Sequence, residues 1–139
     1  MAANVQPIYT KEPDIQWQTA TITTANITTD LTSGTIYLVF TADATNGGFV
    51  QRIRFRSLGT NITTVARVWI NNGLTTATAA NNTLWDEITL NATTVSQVAA
   101  LATQELPLNF ALPAGYRLYV TFGTTVAAGY DATVIGGKY

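Results

Sequence analysis

The sequence contains few of the side chains that enzymes use as nucleophiles, general bases or metal ligands. It has no histidine and no cysteine, which excludes a Ser-His-Asp triad, a Cys-His pair and zinc sites built from these residues. None of its serines lies in a Gly-x-Ser-x-Gly context. We therefore expect a protein that binds or assembles, that is not an enzyme, and that carries no cofactor or metal.

A hydrolase with two catalytic carboxylates is an enzyme class that this inventory leaves open. Among the 8 acidic residues, only Asp86 and Glu87 are adjacent. Because neighbouring residues of a strand point to opposite faces, these two carboxylates would not share a cleft. Calcium needs several oxygen ligands, and the loop from Asp43 to Gly48 contains a single acid, so we expect a polar turn there.

The most distinctive charged feature is a row of arginines at alternating positions, Arg52, Arg54 and Arg56. Alternation places the three side chains on one face of one predicted strand. Either this face is solvated, with the side-chain stems packed along the sheet, or it contacts acidic residues of a protein partner. No aromatic residue interleaves on the face, so nucleic acid is not the expected partner.

The composition is typical of a Thr-rich β protein with little charge. Charged residues make up 11% of the chain, against about 25% in typical domains, and the net charge is −1. Roughly one residue in five is threonine, which favours strands and keeps a solvent-facing strand hydrated without charge. This charge balance argues against nucleic acid and anionic membranes as partners. No apolar run is long enough to span a bilayer, and no signal peptide is expected.

The chain divides into two predicted regions. Residues 1–15 are predicted to form an extended N-terminal arm, because Pro7 and Pro13 exclude a helix. This arm is either disordered or ordered on a neighbouring subunit. Residues 16–139 are predicted to form a single β-sandwich domain. The candidate protein-contact residues are Pro7, Ile8 and Tyr9 of the arm, together with the arginine row.

Short runs of strand-forming residues, separated by turn signals, follow one another from residue 16 onward. The predicted strands cover residues 17–24, 35–41, 49–58, 62–70, 84–90, 106–112, 116–122 and 130–135, and residues 136–139 are predicted as a tail. Gln51, Ile53 and Phe55 are expected on the face opposite the arginines. The strands 49–58 and 62–70 are predicted to pair as a β-hairpin. Pro107 predicts an edge strand or the start of a strand.

About eight strands with no room for crossover helices indicate an all-β fold, an antiparallel β-sandwich of jelly-roll type. Most aromatic residues alternate as core residues do, whereas an exposed aromatic row would indicate sugar binding. Asn-x-Thr triplets match the glycosylation pattern, but they are expected by chance in so Asn- and Thr-rich a chain. These triplets begin at Asn26, Asn61, Asn81 and Asn91.

Two stretches, Phe49 to Gly73 (FVQRIRFRSLGTNITTVARVWINNG) and Leu112 to Tyr139 (LPAGYRLYVTFGTTVAAGYDATVIGGKY), resemble small β-rich structural proteins of tailed bacteriophages and prophages. Within that group, the chain is similar in size and character to capsid decoration, or cement, proteins. The resemblance implies a jelly-roll-like homotrimer on the outer capsid surface of the virion, made in the bacterial host cytoplasm. It also implies an N-terminal arm that grips the major capsid protein.

The expected partners are thus the major capsid protein and further copies of this chain. We expect no direct contact with nucleic acid, with a membrane or with a small-molecule substrate. The alternative function is a receptor- or carbohydrate-binding β-sandwich module of a phage tail fibre or an adhesin.

Overall fold

The computed structural model describes residues 9–139. No helix in this part of the chain is long and apolar enough to cross a membrane. The strands of residues 9–139 and a short 3-10 helix, Ala79–Asn81, follow one another in a single series. The strands are β1 (Glu12–Trp17), β2 (Tyr37–Thr41), β3 (Gly48–Ser57), β4 (Thr64–Asn71), β5 (Asn82–Leu90), β6 (Gln104–Leu112), β7 (Arg117–Phe122) and β8 (Tyr130–Lys138).

The strands form two four-stranded antiparallel sheets. Sheet I has the order β1-β8-β3-β6 and sheet II the order β2-β7-β4-β5. The first strand therefore pairs with the last, the second with the seventh, the third with the sixth and the fourth with the fifth. This nested pairing is that of a jelly roll. The predicted all-β antiparallel sandwich with eight strands is thus confirmed.

The main core lies between the two sheets and is filled by alternate residues of the central strands. Phe55 of β3 and Tyr130 of β8 come from sheet I, and Phe122 of β7 comes from sheet II. The ring centroid of Phe122 lies 6.5 Å from that of Phe55 and 5.5 Å from that of Tyr130. Such tilted and edge-on contacts stabilise a core beyond the area that they bury. Phe122 therefore joins the two sheets.

A second, smaller cluster lies on the outer face of sheet II. Here Leu31 packs against Trp69 of β4 and Tyr119 of β7, all of them buried. Leu31 belongs to the connection between β1 and β2, residues 18–36, which runs over this face. The connection therefore covers the centre of the outer face of sheet II, around Trp69 and Tyr119, whereas Leu38 and Leu84 on the same face are partly exposed.

The connection 18–36 is held in place by the buried side chain of Asn26. Its Nδ2 donates to the carbonyl oxygens of Ser33, at 2.8 Å, and Thr35, at 3.0 Å, and its Oδ1 accepts from the N–H of Thr28 at 3.0 Å. These bonds satisfy backbone groups that have no strand partner. The predicted strand 17–24 is wrong, because β1 ends at Trp17 and only isolated bridges follow, of Ile22 with Tyr130 in sheet I and of Ala25 with Phe122 in sheet II.

Three further sequence predictions differ from the structure. Strands β3 and β4 do not form the predicted hairpin, because they belong to different sheets and the connection 58–63 crosses between them. The sandwich begins at Glu12, before the predicted boundary at residue 16, because β1 pairs with β8 from Glu12 onward. The predicted tail continues β8 as far as Lys138, where Gly136 permits a close approach that a Cβ would block by overlapping the carbonyl oxygen of Phe49.

The hydroxyl group of Tyr37 ties the covering connection to β2. It accepts the backbone N–H groups of Thr23 at 3.2 Å and Thr24 at 3.1 Å. Burial raises the pKa of this phenol, but the hydrogen bonds from the backbone at Thr24 and Thr23 outweigh that effect, so the pKa lies below its ordinary value. Both N–H groups lose their acceptor if the hydroxyl is removed.

We therefore expect Tyr37→Phe to lower the free energy of unfolding by about 1–3 kcal/mol, the range for buried groups left without a partner. Tyr9→Phe is the control, because the Tyr9 side chain is exposed and its hydroxyl is solvated. Urea unfolding of both variants measures the difference. Equal stabilities would show that the hydroxyl of Tyr37 does not secure the connection.

Candidate protein-binding surface

Strand β3 places the three arginines, Arg52, Arg54 and Arg56, on the outer face of sheet I, as predicted. Ile53 and Phe55, which alternate with them, are fully buried in the core. The alternation of β3 therefore separates a basic outer row from an apolar inner row.

Gln51 does not follow the predicted alternation. It is exposed, whereas Val50 before it is buried. A β-bulge lies between Val50 and Arg52 in the pairing of β3 with both β6 and β8. The extra residue of a bulge shifts the alternation by one position. Val50 and Ile53 therefore both face the core, although strict alternation would place residues three positions apart on opposite faces.

Two of the three arginines share one carboxylate within the chain. The Nε and Nη2 atoms of Arg54 each lie 2.8 Å from Oε1 of Glu105 on the neighbouring strand β6. The Nε of Arg52 lies 3.5 Å from Oε2 of the same residue but makes no well-directed hydrogen bond. One negative charge therefore faces two positive ones. A contact of the row with acidic groups of a partner stays a prediction.

Arg56 binds neutral acceptors. Its Nη1 donates to the carbonyl oxygen of Leu101 at 2.6 Å and to Oγ1 of Thr103 at 3.0 Å. These bonds attach the connection between β5 and β6 to the outer face of sheet I. The opposite residue on β8, Asp131, accepts from Nε2 of Gln18 at 2.7 Å.

An apolar margin lies on the same face, at the β1 edge. Trp17 is 63% exposed, and Ile15 is also exposed. In the register of β1 with β8, Ile15 lies opposite Ile135 and Trp17 opposite Thr133, and β8 in turn pairs with β3. The outer face of sheet I thus passes from an apolar edge to the arginine row. Exposed Trp and Arg are the residue types enriched in protein interfaces.

Trp17 was not among the predicted contact residues. Trp17 fell in the predicted strand 17–24, and most aromatic residues were expected in the core. The pattern Ile15-Gln16-Trp17 alternates in the same way as a core strand, and alternation alone does not indicate which side of a sheet is covered.

The predicted contacts of the N-terminal arm fall only partly within the structure. Pro7 and Ile8 lie outside the described residues. Tyr9 is exposed and lines a groove of about 350 Å³ together with Thr10, Phe49 and Tyr139. The groove lies where the chain enters β1, so it is a candidate contact site beside the root of the arm.

The acidic residues considered for chemistry have structural partners. Oδ1 of Asp43 accepts from the backbone N–H groups of Asn46 at 2.8 Å and Thr45 at 3.0 Å, which hold the pKa of this carboxyl below its ordinary value. Glu87 lies 3.2 Å from Nε of Arg67, and Asp86 accepts the N–H of Glu87. Within residues 9–139, no three acidic side chains are grouped closely enough to hold a metal ion.

Comparison of the chain with protein-family models, with curated proteins and with solved structures found no match.

Proposed function

We propose that this chain is a virion structural protein that decorates a tailed-phage capsid and stabilises it by bridging major capsid protein subunits, as a homotrimer. The observation that carries the proposal is the nested pairing of the eight strands, because the jelly roll is an architecture of viral capsid domains. A fold alone does not determine a function. The resemblance of residues 49–73 and 112–139 to phage decoration proteins supports the same role.

Such a protein stabilises a capsid because its binding is linked to the association of the capsid subunits. Packaged DNA pushes the capsid subunits apart, and a protein that binds two neighbouring subunits only when they are together stabilises the closed shell by mass action. This role needs a broad surface and no reactive group. The outer face of sheet I, from Trp17 and Ile15 to the arginine row, is such a surface.

We expect the double variant Arg54→Ala/Arg56→Ala to weaken capsid binding by about tenfold or more, which corresponds to about 1.4 kcal/mol. Removing both guanidinium groups leaves Arg52 facing the single carboxylate of Glu105, so the arginine row loses its net positive charge. The probe is a capsid assembled from the major capsid protein of the phage that, under this proposal, encodes the chain, and co-sedimentation measures the binding.

Arg117→Ala is the matched control, because Arg117 belongs to sheet II, away from the outer face of sheet I. Its binding is expected to equal that of the unchanged protein. Binding should also fall as sodium chloride rises from about 0.05 to about 0.5 M, since salt screens exposed charges. Unchanged binding of the double variant would show that the capsid contact does not include the arginine row.

A receptor- or carbohydrate-binding module is the second candidate function, and the exposed ring of Trp17 favours it. The jelly roll is also an architecture of lectin domains. On a glycan array, this function predicts saturable binding that Trp17→Ala removes. Capsid binding without any glycan signal would contradict it.

A further inference from the structure

A groove of about 250 Å³ opens on the outer face of sheet I, between β3 and β6, at the Arg52 end of the arginine row. We call it the Arg52 groove. It is lined by Gln51, Arg52, Glu105, Pro107 and Asn109. Four of these five residues carry a charged group or a side-chain amide. The hydrogen-bonding groups of the groove therefore decide what it can bind.

The Arg52 groove contains more positive than negative charge. Glu105 supplies one carboxylate, and the Nε and Nη2 atoms of Arg54 both lie 2.8 Å from its Oε1. Arg52 reaches only the other oxygen, Oε2, at 3.5 Å, and its Nε is buried without a hydrogen-bond partner among residues 9–139. A buried donor without a partner costs free energy. One guanidinium group at the groove is therefore left without a carboxylate of its own.

The ion pair on sheet II shows the balanced arrangement. There Arg67 of β4 faces Glu87 of β5, with Nε and Oε2 3.2 Å apart, and no second arginine shares this carboxylate in the described part of the chain. Both ion pairs join neighbouring strands, and both are partly exposed. The surplus positive charge is thus a property of the Arg52 groove and not of every cross-strand ion pair in this fold.

Two amide side chains of the groove have unused donors. Gln51 and Asn109 are exposed, and neither side chain makes a hydrogen bond within residues 9–139. Each amide offers two N–H donors in addition to those of the guanidinium group. A carboxylate accepts such bonds through both of its oxygens, and bonds between ionised groups are stronger than bonds between neutral ones.

The backbone beside the groove is irregular on both strands. The register of β3 with β6 is interrupted between Val50 and Arg52. Gln51 lies in this interruption on β3, and Asn109 lies in it on β6 with a φ of 53°, in the left-handed region. Bulges are enriched beside functional sites, where they turn a side chain out of the regular pattern, and backbone strain collects at ligand sites. These irregularities are therefore the expected setting of a binding site.

We infer that the Arg52 groove binds the carboxylate of an acidic side chain, aspartate or glutamate, of a protein partner. Charge selects this occupant. The guanidinium groups of Arg52 and Arg54 together with Glu105 sum to one positive charge, and one carboxylate brings the sum to zero. A phosphate monoester carries about −1.5 to −2 charges and would leave an excess of negative charge beside Glu105. Nucleic acid binding depends on many phosphate contacts, whereas this chain has a net charge of −1.

This inference rests on the proposed function only for the identity of the partner, whose acidic side chain would then belong to the major capsid protein. Affinity for a carboxylate is a property of the groove itself. It can be measured on the full chain without capsids, so the two proposals can fail separately.

The test is a titration of the full chain with N-acetylglutamate amide, a single glutamate side chain with blocked ends, at constant ionic strength. Nuclear magnetic resonance follows the side-chain N–H signals of Arg52, Gln51 and Asn109. We expect saturable shifts of these signals with a Kd of about 1–10 mM, because the ligand is small and held by few bonds. N-acetylglutamine amide is the matched probe without the charge, and it is expected to cause no saturable shift.

Two variants are expected to change this Kd in opposite directions. Arg52→Gln should raise it by at least about tenfold, because the guanidinium group without its own carboxylate is lost. Glu105→Gln should lower it by at least about threefold, because the like charge that repels the ligand is removed. A merely structural role of Glu105 does not produce a gain in affinity. Arg67→Gln is the matched control, since Arg67 and Glu87 are paired on sheet II, and its Kd is expected to equal that of the unchanged protein.

The absence of a saturable shift up to about 50 mM of N-acetylglutamate amide, equal shifts with the neutral probe, or weaker binding by Glu105→Gln would overturn the inference. Tighter binding of inorganic phosphate than of N-acetylglutamate amide would also overturn it, because the occupant would then be a phosphate group. Carboxylate binding in the expected order by a protein that does not bind capsids would instead overturn the proposed function.

Discussion

Replacing Asn61 by alanine is expected to lower the free energy of unfolding by about 3–5 kcal/mol. The side chain is buried, and all of its polar capacity is used. Its Oδ1 accepts the N–H groups of Ala128 at 2.8 Å and Gly129 at 3.0 Å, and its Nδ2 donates to Oγ of Ser57 at 2.9 Å and to the carbonyl oxygen of Gly129 at 3.0 Å. Alanine would leave these buried groups without partners. The β3–β4 and β7–β8 connections would then lose their common anchor.

Asn91→Ala is the control for this prediction. Asn91 also begins an Asn-x-Thr triplet, but it is exposed, so its loss is expected to change stability by less than about 0.5 kcal/mol. Urea unfolding of both variants measures the difference in the free energy of unfolding, and equal m-values show that the two transitions are comparable. A loss below about 1 kcal/mol for Asn61→Ala would mean that solvent replaces these bonds and that this side chain does not anchor the β3–β4 and β7–β8 connections to each other.

Replacing Trp69 by alanine is also expected to lower the free energy of unfolding by about 3–5 kcal/mol, as for a large core side chain. Trp69 is only 2% exposed although it lies on the outer face of sheet II. It packs with Leu31 and Tyr119, and its Nε1 donates to Oγ1 of Thr121 at 2.9 Å. The substitution would leave a cavity under the β1–β2 connection and a buried hydroxyl without its donor.

The other two tryptophans are more exposed and show how the loss of stability depends on burial. Trp85 is about half exposed and contacts Phe110 with ring centroids 4.7 Å apart, so Trp85→Ala is expected to lose about 1 kcal/mol. Trp17→Ala is expected to lose less than about 0.5 kcal/mol, because Trp17 is largely exposed. Chemical unfolding of the three variants gives the order Trp69, Trp85, Trp17. Similar losses for Trp69 and Trp17 would contradict the assignment of sheet I as the open face and sheet II as the covered one.

Local periodicity was sufficient to predict the strands that alternate most clearly. The runs 49–58 and 116–122 correspond to β3 and β7, with Ile53 and Phe55 inward and the arginines outward. The period of two is a property of neighbouring residues, so a single sequence contains it. The edge position predicted from Pro107 is also confirmed, since β6 is the last strand of sheet I.

The pairing of the strands was not predictable in the same way. Strand β1 pairs with β8 from the other end of the chain, and no local signal specifies such a contact. The hairpin prediction failed because Gly59-Thr60-Asn61 is a turn signal for a tight reversal and also for a crossing between sheets. The Thr-rich segment 17–24 has strand propensity, but beyond Trp17 it pairs only through an isolated bridge of Ile22 with Tyr130 before the chain crosses to sheet II.

The candidate binding surface, like the fold, was only partly predictable from the sequence. The arginine row follows from alternation on one strand, whereas the ion pair of Arg54 with Glu105 joins residues 51 positions apart and depends on the pairing of β3 with β6. The exposure of Trp17 depends on which face of sheet I lacks a cover. Sequence pattern therefore predicted what each strand presents, and the jelly-roll pairing determined which of these faces are open.

The central claim, that this chain decorates a capsid, is tested most directly by cryo-electron microscopy of capsids mixed with the purified protein. The capsids are assembled from the major capsid protein of the phage that, under the proposed function, encodes this chain. The account predicts added density on the outer surface, at a fixed ratio to the capsid protein, in which each sandwich contacts at least one boundary between capsid subunits. A protein concentration of about 10 μM exceeds the Kd of most specific interactions. Capsids that acquire no outer density at this concentration of the folded protein would contradict the proposed function.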